Sequence, residues 1–325
     1  MSYFYFSIGN ISRGKSGAKK SGASGSISYA LAYINGRCIY DNYEKKSRKM
    51  HTRDDIIARG VVLPKKAPKR LFDLQTLSNE VNNAEKRKDA RTAQVIVMSL
   101  PNALPREAYA TLVETFCHEN FVKKGRCVSY AIHAGGRRDK TELKLLPSIE
   151  ERQDNPHAHL IIPFRPIDEC GFCETKLESR MHSTKAAISA FRKSWADIQN
   201  QTFERARLEV RVTHLSLKDQ GKSRTSRPHI SAEAYALERM GIPTRVGDEC
   251  IKAMLQNQTD ESLKRKIQYA LEERERIQKN LERWNVENAE MRQKQLQLAK
   301  EREEREFIAD NELARASGFW YSIER

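Results

Sequence analysis

The sequence predicts an α+β fold: a central, mainly antiparallel β-sheet flanked by helices, followed by a long C-terminal helix. Three observations carry that expectation. Apolar runs of strand length recur at 92–100, 126–134 and 157–164, the first of them free of breakers. The order strand, helix, strand, helix, strand, strand, helix, strand does not alternate as a parallel βαβ sheet would. From about residue 259 to 312 no Gly or Pro interrupts a stretch rich in Glu, Arg, Lys and Gln. The 325 residues suggest two domains, 1–257 and 258–325.

Taken in order, residues 3–8 (YFYFSI) read as a short aromatic strand before Gly9. A basic Gly/Ser-rich loop follows over 11–26. Ser26 or Ser28 can cap a helix, ISYALAYIN, that ends at Gly36. Residues 69–89 read as a helix. TAQVIVMSL (92–100) reads as a strand stopped by Pro101, and Pro105 opens a helix that runs to Gly125. RCVSYAIHA (126–134) is the next strand, stopped by Gly135 and Gly136. A polar insertion at 137–155 precedes HAHLIIPF (157–164). Residues 183–205 read as a helix, LEVRVTHL (208–215) as a strand, and short helices follow the basic run 222–227 to about 255. In the terminal helix Ala270, Ile277, Trp284, Met291 and Leu298 recur at spacing seven. Arg274, Asn288 and Gln295 interrupt the companion positions, so only half a coiled-coil seam is present.

The net charge is +15, unevenly placed. From Asp260 onward 14 Lys and Arg face 15 Asp and Glu, so the surplus lies in the first 259 residues. Such a field attracts a polyanion, most commonly nucleic acid. No apolar run approaches the roughly 18 residues of a membrane span, and the first residues lack signal-peptide architecture. Six scattered cysteines do not form a disulfide framework and fit a reducing cytoplasm.

The chemistry concentrates in Asn155-Pro-His157-Ala-His159. Residues two apart on a strand share a face, so both imidazoles project together. His133 ends the preceding strand. If the two strands pair as antiparallel neighbours, three imidazoles can surround one divalent ion and leave coordination positions open. Cys170-Gly-Phe-Cys173 is a competing metal motif without a second ligand pair. A metal on a basic protein suggests phosphodiester chemistry. Tyr29 and Tyr33, four apart on one helix face, are candidate nucleophiles behind the basic loop.

Four stretches resemble the MobA/MobL family of plasmid mobilisation relaxases, a branch of the HUH endonucleases. They are the N-terminal strand and basic loop with Ala32-Tyr33-Ile34, Arg37 and Tyr40; Ser99-Leu100-Pro101; Tyr130-Ala-Ile-His133-Ala-Gly-Gly136 with Asn155-Pro-His157-Ala-His159-Leu160; and His214 to Gly221 with Glu238 to Thr244. Together they cover residues 1 to about 245. The resemblance implies an HUH relaxase-like fold and a site- and strand-specific DNA relaxase that nicks single-stranded DNA at a transfer origin. It implies Tyr33 as nucleophile, with Tyr29 as the alternative. It implies His133, His157 and His159 as ligands of Mg²⁺ or Mn²⁺. The implied partners are single-stranded and hairpin DNA, accessory mobilisation proteins and a type IV coupling protein. Lys15, Lys19, Lys20, Arg37, Lys222, Arg224 and Arg227 are candidate phosphate contacts. A rolling-circle replication initiator is the alternative within the superfamily, and a non-catalytic DNA-binding adaptor the alternative outside it. One departure stands out. The family's central-strand Glu position is Val95 here, with Gln94 beside it. Asp139, Glu142, a metal-bound hydroxide and the DNA itself remain open as the proton acceptor.

Overall fold

A five-stranded antiparallel sheet organises the first part of the chain. The computed structural model describes residues 4–13, 26–48, 53–135, 155–176, 184–228 and 230–316. In chain order the elements are β1 (Phe6–Ser12), α1 (Ile27–Asn35), β2 (Ile39–Asp41), β3 (Lys46–Arg48), β4 (Ile56–Val62), α2 (Leu74–Ala84), β5 (Arg91–Ser99), α3 (Ala108–Asn120), β6 (Val128–His133), β7 (His157–Pro163) and α4 (Lys185–Arg205). Then come α5 (Ala232–Arg239), α6 (Arg245–Asn257) and α7 (Glu261–Ala316). The chain divides into two compact units, one through Gln220 and one from Gly221.

The sheet order is β1-β5-β7-β6-β4, with β2 and β3 forming a separate hairpin. Alternation along each strand sends side chains to two faces. Ile96, Met98, Val128, Tyr130, Ile132, Ala158, Leu160 and Ile162 meet α3 and α4 in the larger core. There Phe116 touches Phe6, Phe121 and Trp195 edge-on, the last at 5.5 Å between ring centroids. The opposite face, with Ala93, Ala131 and Ile161, is covered by Ile27, Leu31 and Ile34 of α1 and by Leu77 and Val81 of α2.

Several sequence expectations change. The first strand is shifted to Phe6–Ser12, because its partners Met98 to Arg91 set its register. The helix expected over 69–89 is broken at Asp73. That residue ends a 3-10 turn (Lys69–Phe72) and caps α2 by accepting from the Thr76 amide. Residues 208–215 join no strand, and the segment bends at His214 and Leu215. The Val212 backbone bonds both ways to the Asn200 side-chain amide, which takes the place of a ladder while Val212 enters the core. Strand β4 and the β2–β3 hairpin have no counterpart in the sequence expectation.

The second unit has its own small core: Ile251 of α6 with Ile267 and Leu271 of α7. Its centre is ionic. Arg274, almost fully buried, bonds both oxygens of buried Glu238 at 2.7 and 2.8 Å and Asp248 at 2.6 Å. Thr244 donates to Glu238 as well. The first turns of α7 are thereby joined to α5 and α6. No helix among the described residues is long and apolar enough to cross a membrane.

Candidate metal and nucleophile site

Two neighbouring strands bring the histidines together. His133 lies directly opposite His157 across the β6–β7 ladder, and Ala131 opposite His159. All three side chains leave the sheet on the α1 side. Their ring centroids are 4.8, 5.0 and 5.4 Å apart. One ring nitrogen from each lies within 4.8 Å of the others.

The surroundings set which nitrogen of each ring carries a lone pair. A backbone carbonyl can only accept. His133 Nε2 therefore donates to Ile34 O at 2.8 Å, and His157 Nδ1 donates to Asn155 O at 2.9 Å. The freed nitrogen of His133, Nδ1, is buried and finds no hydrogen-bond partner. A carbonyl behind the ring, as at His133 and His157, is the usual outer support of an imidazole ligand. Burial also favours the neutral form of two of the rings. It pushes His159 down to about 3, helped by the neighbouring His157 and His133, and it lowers His133 too. The residues therefore fit a divalent ion with open coordination positions.

Two glycines make this arrangement possible. Gly135 has φ +65°, and a Cβ there would fall 2.0 Å from Asn155 O, the carbonyl that orients His157. Gly36, the left-handed residue that ends α1 with φ +57°, lets the Arg53 backbone approach to within 3.0 Å of where its Cβ would be.

Helix α1 presents the tyrosines. Ser26 caps it, its Oγ accepting from Tyr29 N. Ile27, Leu31 and Ile34 are buried beneath, while Tyr33 is 45% exposed. The Tyr29 and Tyr33 rings stack nearly parallel, 6.3 Å apart. The Arg53 guanidinium lies over the Tyr33 ring at 5.3 Å and grips Asp55 with two bonds of 2.9 and 2.8 Å. That grip is the main reason the Asp55 carboxyl sits below its ordinary range. Arg53 and Asp55 link the tyrosine to the histidines, and neither is singled out by the sequence pattern. Their signal, Arg-Asp-Asp just before an apolar run, is hidden because β4 does not declare itself as a strand.

Among the other expected contacts, Arg37 is exposed just beyond the end of α1. Lys222, Arg224 and Arg227 are exposed in the second unit. Lys15, Lys19, Lys20, Asp139 and Glu142 lie outside the described residues. Val95 lies on the same face of β5 as Val97, the ladder partner of His159, and packs against the α1 core. Gln94 is on the opposite parity. Cys170 and Cys173 form a turn in which Asp168 accepts from both, and among the described residues they are not part of a cluster that could hold a metal ion.

The MobA/MobL family model matches residues 26–240. A probable mobilization protein MobA of Bifidobacterium longum is 26% identical over 74% of this chain and 45% of its own length. A probable conjugal transfer protein TraA of Sinorhizobium fredii is 24% identical over 72% of this chain and 22% of its own. A mobilization protein A of Escherichia coli is 25% identical over 50% of this chain and 23% of its own. The chain thus spans less than half the length of these relatives. A solved structure described as "Molecular Basis of Vancomycin Resistance Transfer in Staphylococcus aureus" shares the fold, with a TM-score of 0.52 and 24% identity over 66% of this chain and 98% of that one. The matched segment contains α1, all three histidines and the sheet that joins them, and on that ground the chain belongs to the MobA/MobL family.

Proposed function

We propose that this chain is a relaxase of conjugative mobilisation, with its nicking domain within residues 1–257. It cuts one strand of DNA at a plasmid transfer origin. One observation carries the reading: the hydrogen bond from His133 to Ile34 O ties the three-imidazole cluster to the helix turn that bears Tyr33. The relatives' names, mobilization protein and conjugal transfer protein, support the process.

His133, His157 and His159 would hold Mg²⁺ or Mn²⁺, which supplies Lewis-acid neutralisation of the scissile phosphate. Tyr33 Oη attacks the phosphorus in line. The Oη–P bond forms, the bond to the 3′ oxygen breaks, and the products are a 5′-phosphotyrosine and a free 3′-OH. One phosphodiester replaces another, so the strand can be resealed without ATP. Arg53 lies where a cation favours the negative charge that develops during attack. Asp55 holds that guanidinium in place.

The reading predicts a denaturant-resistant protein–DNA adduct on single-stranded oligonucleotides from the replicon that encodes the chain. Tyr33→Phe abolishes the adduct and keeps DNA binding, while Tyr29→Phe keeps both. Loss with Tyr29→Phe and not with Tyr33→Phe moves the nucleophile to Tyr29. Full cutting in excess chelator removes the metal from the reading.

A further inference from the structure

Among the described residues of the first unit, five large side chains with aromatic or aliphatic bulk stand exposed, and three are tyrosines from one short stretch: Tyr33, Tyr40 and Tyr43. Tyr40 and Tyr43 belong to the β2–β3 hairpin, which packs beside α1. The hairpin has only three residues per strand and buries little beyond Ile39 and Asp41, yet it is held by an unusual number of polar contacts. The Gln75 side chain bonds the Tyr40 backbone both ways, accepting from its N and donating to its O, each at 2.8 Å. Buried Asp41 caps the turn by accepting from Tyr43 N and Glu44 N, and it bonds Ser26, the α1 cap. Asn42 is held by Asn82 and Asn83. The backbone is fixed while the rings face solvent.

Cations brace and border the same surface. The Arg13 guanidinium, itself buried, lies 3.7 Å over the Tyr43 ring, and Arg48 lies over Tyr29 at 5.8 Å. Lys45, Lys46 and Arg37 are exposed, and the hairpin's exposed acid, Glu44, is already paired with Lys46 and Arg48. Rigid aromatic faces interleaved with cations are what a single strand of nucleic acid needs: a surface for each unstacked base and a charge for each phosphate. A duplex hides its base faces and gains nothing from the rings.

We infer that the hairpin is a base-stacking platform for single-stranded DNA, with Tyr40 and Tyr43 each taking a base and Lys45 pairing with a phosphate. The inference rests on the reading of Tyr33 as the DNA-cutting residue only for its direction, since the platform leads toward that ring.

The test measures anisotropy of labelled oligo(dT) and of a mixed-sequence duplex on the full chain, in chelator. Tyr40→Ala and Tyr43→Ala, and equally the Leu variants, should weaken single-strand binding about 5- to 100-fold each, with little change for duplex. Tyr→Phe at either position should restore binding, because the ring and not the hydroxyl does the stacking. Lys45→Ala should flatten the salt dependence, by about 0.7 in logarithmic slope for the phosphate no longer neutralised. Circular dichroism separates these effects from unfolding. Single-strand binding within twofold of the parent in both Leu variants overturns the platform, as does failure of the parent to prefer oligo(dT) over duplex. The adduct assay is read separately. Stacking loss without any adduct in the parent keeps the platform and rejects the nucleophile, and an adduct with unchanged binding in the variants does the reverse.

Discussion

Single atoms decide the site. Asn155 O fixes the His157 ring only because Gly135 leaves room for it, so Gly135→Ala must push either the carbonyl or the chain away. Such outer-support losses usually cost about 10–100-fold in metal affinity. Titration calorimetry with Mn²⁺ should show that drop with the melting temperature little changed; unchanged affinity would mean the carbonyl is dispensable. The common face of His157 and His159 is legible in the sequence because strand parity is a fixed period of two. The partner of His133 is legible because only a polar insertion separates the two strands. Arg53 and Asp55 are illegible, since their place beside Tyr33 depends on β4 pairing with β6, and Arg59 and Gly60 interrupt the Ile-Ile and Val-Val pairs that would otherwise mark Ile56–Val62 as a strand.

At the scale of elements, helices are read more faithfully than strands, because their caps are local. Ser26, Thr184, Ser231 and Thr244 each accept from the amide three residues on. The segment 208–215 shows the opposite case. Its alternation is that of a strand, but pairing is settled by whatever lies alongside, and here a side-chain amide does so. Two stability predictions belong here. Phe116→Ala removes the ring on which β1, α3 and α4 converge and should cost about 3–5 kcal/mol in urea unfolding. In the second unit, Arg274→Ala strands buried Glu238 and should cost a similar amount, about 3–5 kcal/mol. Burial alone would raise the Glu238 carboxyl, but its bonds from Arg274 and Thr244 outweigh burial and hold it below the ordinary range. A carboxylate depressed in the folded state stabilises above its unfolded value, near 4.3, and that contribution fades as pH falls through the folded value. Hydrogen exchange at α5 and α6 amides should therefore be flat from pH 7 to 5, after correction for intrinsic rates, and should lose protection only in stronger acid. Equal protection at pH 2.5 and pH 6 would discount the pair.

At the scale of the whole chain, the α+β class and the terminal helix are readable from the order and length of runs, while the strand order β1-β5-β7-β6-β4 is not, since it depends on long-range partners. The positive surplus, confined to the first 259 residues, should make DNA affinity fall steeply between 50 and 200 mM salt, and a flat response would argue against phosphate contacts altogether. The ladder that sets His133 against His157 has a final consequence. Those residues stand at the two ends of the connection 136–154, yet their separation in space is dictated by backbone pairing and owes nothing to how many residues join them. Closing a longer or shorter connection alters the chain entropy only logarithmically. Inserting or deleting residues between 136 and 154 should therefore leave the imidazoles in register.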